Sequence, residues 1–301
     1  MIEVRGLTKR YGGRAVVDDL SFEVQPGVVT GFLGPNGSGK TTTARMILGL
    51  THINGGTATI NGQPYRRLSR PLRQVGALID PGAVNPGRTA VEHLRWLATA
   101  NDIERSRAET VLSIVGLDAV AGRKVGCFSL GMRQRLGIAA ALIGDPPVLL
   151  LDEPINGLDP EGIRWIRIFM QGLANEGRTV FVSSHLMSEM ALTATALVVI
   201  GAGKLIAAES MQDFTERADS SVRVRSPQLD DIAAALQADG ASLWRTGDAL
   251  EVVGVSIEQI GAVAARLGAT IYELSPQRAS LEDAFMQLTR DASEFAARRA
   301  G

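Results

Sequence analysis

Four apolar runs in this chain each stop at polar residues, and no other feature narrows the fold as much. They are Val28–Gly34 (VVTGFLG), Val75–Ile79 (VGALI), Val148–Asp152 (VLLLD) and Thr179–Ser184 (TVFVSS). Their apolar character is continuous, which fits strands buried on both faces of a parallel sheet; a sheet with one wet face would alternate. A residue able to do chemistry follows each run: Lys40 in the turn after the first, then Asp80, then Asp152 with Glu153, then His185. Open parallel sheets bind ligands beyond the carboxyl ends of their strands. Four separate segments therefore converge on one site.

The first turn, GPNGSGKTT, spans Gly34, Pro35, Asn36, Gly37, Ser38, Gly39, Lys40, Thr41 and Thr42. It matches the phosphate loop G-x-x-x-x-G-K-[ST], in which glycines let backbone N–H groups wrap phosphate oxygens. The helical pattern that follows, KTTTARMILGL, aims the positive end of its dipole at the same anion. Lys40 is expected to reach the β and γ phosphates of a nucleotide, and the Thr41 hydroxyl to sit on Mg²⁺. Asp152, at the end of its strand, is expected to hold the Mg²⁺ shell through water, with Glu153 beside it to polarise an attacking water.

Composition sets the outer bounds. The 301 residues allow one large domain or a domain with a smaller companion. A net charge of −1 lacks the basic footprint of a nucleic-acid binder. Cys127 is the sole cysteine, which excludes a disulfide framework and fits a reducing, cytoplasmic compartment; it is expected to be a small packing residue. The most apolar stretches fall short of the ~20 residues a membrane helix needs, and the first residues, MIEVRGLTKRYGG, carry no secretory pattern. His52 and His93 have no partners at metal-ligand spacing and are expected on the surface or on a helix face.

Before the third strand lies FSLGMRQRLGIAAALIG, in which Ser129 is placed to cap a helix with Met132, Leu136, Ala139 and Leu142 or Ile143 at helical spacing. The order of phosphate loop, acid-ended strand, helical insertion, this Ser-x-Gly helix start, then LLLDEP, GLDP and SSH, resembles the nucleotide-binding domain of ATP-binding cassette (ABC) proteins over the first two thirds of the chain. By that resemblance Gly34–Thr42 correspond to the Walker A loop and Val148–Glu153 to Walker B with its catalytic glutamate. Phe128–Met132 correspond to the signature motif, with Ser129 and Gly131 keeping its polar and small positions while Leu130 and Met132 depart from LSGGQ. Gly157–Asp159 resemble the D-loop, His185 the switch histidine that senses the γ-phosphate, and Tyr11 the aromatic residue that stacks on adenine. In the family two cassettes pair head to tail, each ATP lying between the Walker A loop of one and the signature of the other.

The pattern breaks at Asp80, where most cassettes carry the Q-loop glutamine; Gln74 precedes the strand. A carboxylate beside the γ-phosphate repels unless a cation bridges them, so Asp80 is expected to be a third metal-shell ligand with Thr41 and Asp152. Two amphipathic helical patterns, AVEHLRWLATAND and RAETVLSIVGLDAV, fill the interval before Ser129. In the family this helical subdomain receives a helix from a membrane permease.

Beyond GAGKLIAAESMQDFTERAD the pattern becomes strand SVRVRS, helix LDDIAAALQADG, two strands in ASLWRTGDALEVVGV, helix IEQIGAVAARLG and strand TIYEL, then a helix SLEDAFMQLTRD. That βαββαβ order is ferredoxin-like. A cassette with such a tail resembles the ATPase subunits of bacterial drug, bacitracin and daunorubicin-resistance exporters.

The expected fold is therefore α/β: a P-loop ABC cassette over 1–217, with a mostly parallel sheet core, an antiparallel β subdomain and a helical subdomain at about 84–140, plus a ferredoxin-like domain over 218–301. The resemblance implies ATP and Mg²⁺ as cofactors, catalysis by Glu153, His185, Asp80 and Asp159, and signature contacts from Ser129 and Gly131. It implies a homodimer or paired cassette under a separate transmembrane permease, peripheral on the cytoplasmic face of the membrane, with no nucleic acid. The competing expectation is a soluble cassette ATPase acting on ribosomes or nucleic acid.

Overall fold

The computed structural model describes residues 1–217, 221–277 and 285. In chain order the first elements are β1 (Ile2–Tyr11), β2 (Arg14–Val24), β3 (Val29–Leu33), α1 (Lys40–Ile47), β4 (Gly55–Ile60) and β5 (Val75–Leu78). There follow α2 (Ala90–Ala100), α3 (Arg107–Ile114), α4 (Leu130–Leu142), β6 (Val148–Asp152), α5 (Pro160–Asn175), β7 (Thr179–Ser184), α6 (Met187–Thr193), β8 (Ala196–Gly201), β9 (Lys204–Ser210) and α7 (Met211–Arg217). The four apolar runs form β3, β5, β6 and β7 of a six-stranded sheet ordered β5-β6-β7-β3-β8-β9. All its pairs are parallel except the edge pair β8–β9. A separate antiparallel sheet, β2-β1-β4, lies beside it.

Burial explains the continuous apolar character. Every residue of β3, β6 and β7 is buried. On one face Phe32, Leu150, Phe181 and Val198 join Phe22 of β2 and Ala44 and Met46 of α1 in a single core cluster. The rings of Phe22, Phe32 and Phe181 stand 5.0 to 5.6 Å apart and tie the two sheets together. Alternate residues Leu149, Leu151, Val180 and Val182 turn to the other face, where they are equally buried. The Phe-rich cluster fixes where α1 begins, and with it the phosphate loop.

The helical insertion packs on β5 through α4, where Gly76 approaches the Ala141 carbonyl so closely that any Cβ would overlap it. Thr89 and Glu92 form a reciprocal capping box at the start of α2. His93, expected on a surface or helix face, is turned inward: it is 7% exposed, and its Nδ1 has no partner among the described residues. Cys127 departs from its expected packing role, being exposed beside the start of α4.

The chain divides into two compact units between Met211 and Gln212, at the start of α7. The second unit contains β10 (Ser221–Arg225), α8 (Leu229–Ala238), β11 (Ser242–Thr246), β12 (Ala249–Val253), α9 (Ile257–Leu267) and β13 (Glu273–Gln277). Its antiparallel sheet runs β11-β12-β10-β13, the ferredoxin-like βαββαβ arrangement. The last strand begins later than TIYEL suggests and includes Pro276, tolerated because β13 is an edge strand paired only with β10. The helix expected over SLEDAFMQLTRD lies outside the described residues apart from Phe285, which is helical and buried.

Burial, reinforced by the nearby Arg88 charge, lowers the His93 pKa below its ordinary value. The unfolded chain therefore takes up a proton, at about pH 6.5 and below, that the buried ring refuses. This contribution to stability is intact above that pH and lost as pH falls through it. Thermal unfolding at pH 7.5 and pH 5 should show a drop in midpoint that His93→Gln makes smaller; equal drops in both proteins would refute the assignment.

Candidate active site

The loops after β3, β6 and β7 meet around a cavity of about 360 Å³. Asn36, Gly37, Gly39, Lys40, Thr41 and Thr42 line it from the first loop, Glu153 and Asn156 from the second, His185 from the third and Val16 from β2. Gly37 and Gly39 have φ of +80° and +106°, which side-chain-bearing residues rarely adopt. A Cβ at Gly39 would also stand 2.9 Å from the Val16 carbonyl. Gly34 is equally constrained, since its Cβ would meet the Ile200 carbonyl at 2.6 Å. No side chain caps α1, so its leading N–H groups and the positive end of its dipole are left for an anion.

Lys40 is 7% exposed, and its ammonium donates to the carbonyls of Gly34 at 2.6 Å and Pro35 at 3.4 Å. The Glu153 carboxylate lies 3.8 Å from it. Burial pulls the Lys40 pKa down, while the charges of Glu153 and Asp152 act against the shift. The Ser38 hydroxyl is buried with no partner among the described residues, an orphan that a phosphate oxygen would satisfy. An ammonium, an uncapped helix start and this hydroxyl fit the phosphates of a nucleotide.

The Thr41 hydroxyl donates to Asp152 Oδ2 at 2.7 Å, and the Ser183 hydroxyl donates to Asp152 Oδ1. A hydroxyl and a carboxylate together are the hard oxygen donors that Mg²⁺ takes alongside phosphate. Ser183 also holds the next residue, its Oγ accepting the Glu153 N–H at 3.0 Å. Glu153 itself has φ +50°, in the left-handed region. This turns its carboxylate toward His185, whose Nδ1 lies 2.9 Å from Glu153 Oε2. A carboxylate between an ammonium and an imidazole, beside a phosphate loop, is placed to orient and deprotonate water.

Other expected residues stand apart from this group. Ser129 caps α4, its Oγ accepting the Met132 N–H at 3.2 Å, and is exposed; neither Ser129 nor Gly131 belongs to the cavity lining. Asp159 caps α5 by accepting the Gly162 N–H at 2.8 Å. Asp80 is likewise absent from the lining; its carboxylate accepts the Gly82 N–H at 2.8 Å and serves the turn after β5. Tyr11 is exposed, with the Lys9 ammonium 4.7 Å from its ring centre. Val16, Asn156, Ser183 and Gln134 escaped the sequence reading. Gln134 alone left a signal there, as a polar residue on the helical stripe of Ile138 and Leu142.

Comparison with known proteins agrees with this geometry. A family model described as ABC transporter matches residues 17–156, and a domain of unknown function matches 220–282. The chain is 35% identical over 297 residues, 98% of its length and 97% of the relative's, to the uncharacterized ABC transporter ATP-binding protein YhcH of Bacillus subtilis (strain 168). It is 43% identical over 209 residues, 68% of each chain, to the bacitracin transport ATP-binding protein BcrA of Bacillus licheniformis. A solved structure of the ATP-binding subunit of an ABC transporter superposes with a TM-score of 0.66 at 27% identity, covering 72% of this chain and 92% of that one. The chain belongs to the ABC transporter ATP-binding proteins. It is an ATP-hydrolysing cassette.

Gly39→Ala should abolish ATP binding, at least a hundredfold in Kd, while the far-ultraviolet spectrum stays native, because the added methyl meets backbone. Titration with a fluorescent ATP analogue measures it, and wild-type affinity would show that the loop has another conformation in solution.

Proposed function

We propose that this chain is the ATP-hydrolysing subunit of an exporter, working as a homodimer or paired cassette beneath a separate permease on the cytoplasmic face of the membrane. The observation that carries the reading is the division of the anion-binding parts. The phosphate loop, Glu153 and His185 line one cavity, with Asp152 bonded to Thr41 of that loop, whereas Ser129 and Gly131 open a capped helix outside it. A second chain brought face to face would supply its own Ser129 and Gly131 to the exposed side of the nucleotide, so ATP favours the pair and its hydrolysis releases it.

In this reading Lys40 and the start of α1 hold the phosphates, Thr41 and Asp152 hold Mg²⁺, Glu153 takes a proton from water, and His185 steadies the γ-phosphate. Bound Mg²⁺ would neutralise charge on the phosphates. Asp159, at the start of α5, fixes the loop that carries Asn156. Asp80 is left out of the metal shell. Among the described residues no helix is long and apolar enough to cross a membrane, which suits a subunit whose cargo passes through another chain. The bacitracin-transport relative supports a drug-like, peptide or lipid-like cargo.

Glu153→Gln should cut ATP turnover by about 10²-fold or more while retaining ATP binding, and should accumulate an ATP-dependent dimer in light scattering. Gentle-detergent capture of that variant with Mg-ATP should bring down a polytopic membrane protein at near-equal abundance. Recovery of ribosomal proteins or nucleic acid without a membrane partner would replace the exporter reading with that of a soluble cassette, leaving the ATP chemistry intact.

A further inference from the structure

Gln134 is 1% exposed, and its carboxamide Nε2 donates to the Glu153 backbone carbonyl at 3.0 Å. That carbonyl also accepts the Asn156 N–H at 3.2 Å, closing the turn that opens the loop to Asp159. The Glu153 N–H is held from the other side by the Ser183 carbonyl at 3.2 Å and the Ser183 hydroxyl at 3.0 Å. A glutamate at φ +50° is strained and keeps that conformation only while its surroundings impose it. Here both polar groups of the residue are fixed by buried side chains, one from β7 and one from α4.

The α4 contact has a second part. Gly131 lies so close to the Gly157 carbonyl that a Cβ would stand 2.8 Å from it, and the Leu130 side chain occupies the space that a Cβ on Gly157 would need. The first turn of α4 thus abuts one end of the 153–157 loop, while Gln134, one turn further on, grips the other. Movement of α4 must move the Glu153 peptide or break the Gln134 bond.

We infer that Gln134 is a positioning residue, holding the left-handed Glu153 peptide so that its carboxylate faces the phosphate loop and coupling that pose to the helix that begins at Ser129. The inference rests on the reading of Glu153 as the group that activates water.

The test uses the full chain and Gln134→Met, which keeps the bulk of the side chain and loses the donor. Steady-state and single-turnover hydrolysis, ATP binding and thermal midpoint are measured together. The expected result is a tenfold to hundredfold fall in kcat, with ATP Kd and KM within about twofold and the midpoint little changed. In the Glu153→Gln background Gln134→Met should cause no further loss, because a residue that acts through Glu153 has nothing left to position.

Gln134→Glu, matched in shape but an acceptor at neutral pH, should be at least as slow and serves if the methionine variant does not fold. Wild-type kcat in the folded variants, or losses that multiply in the double variant, would overturn the inference. If Glu153→Gln itself turned over ATP normally, the reading of Glu153 would fall instead, whatever Gln134 does.

Discussion

The hydrogen bond from Thr41 to Asp152 spans 111 positions of sequence, and it exists only because three strands end level. In the sheet β7 lies between β6 and β3, with Asp152 opposite Ser183 and Leu33 opposite Ser184. A slip of one residue in either pairing would turn every side chain of that strand to the opposite face. The buried Phe32–Phe181 contact forbids it. Core packing and site assembly are thus the same constraint, with the apolar alternation on both faces setting a register that delivers Asp152, Glu153 and His185 to one edge.

That edge is electrostatically self-contained. Burial lowers the Lys40 pKa, the charges of Glu153 and Asp152 oppose that shift, and the ammonium donates to carbonyls of its own loop. In the proposed reading a nucleotide phosphate entering the loop would compete with Glu153 for the same cation, while the Glu153 backbone is held by Ser183 and Gln134.

The parallel strands, the phosphate loop, the Ser129 cap and the βαββαβ order were all legible in the sequence, because each rests on local chemistry: apolar runs, glycines at required turns, and capping residues. What escaped was set by tertiary contact. Ser183 reads as one more strand residue until β6 is laid beside β7, and Gln134 reads only as a polar interruption of an apolar stripe until α4 is packed against the loop from Glu153. Asp80 shows a different limit: its place after β5 is plain in the sequence, while the bond from the Gly82 N–H to its carboxylate is set by the turn that follows. His93 lies on α2, as a helix-face residue would, but on the side that the fold buries.

The second unit carries its own lesson in the pairing of β10 with β13. Ser221 lies opposite Gln277 and Arg225 opposite Glu273, so the first and last described strands of this unit are adjacent and antiparallel. All four strands of the small sheet come from its own unit, and none is lent to the sheets that carry the site. The small domain therefore has a hydrophobic core and a hydrogen-bond ladder complete in themselves.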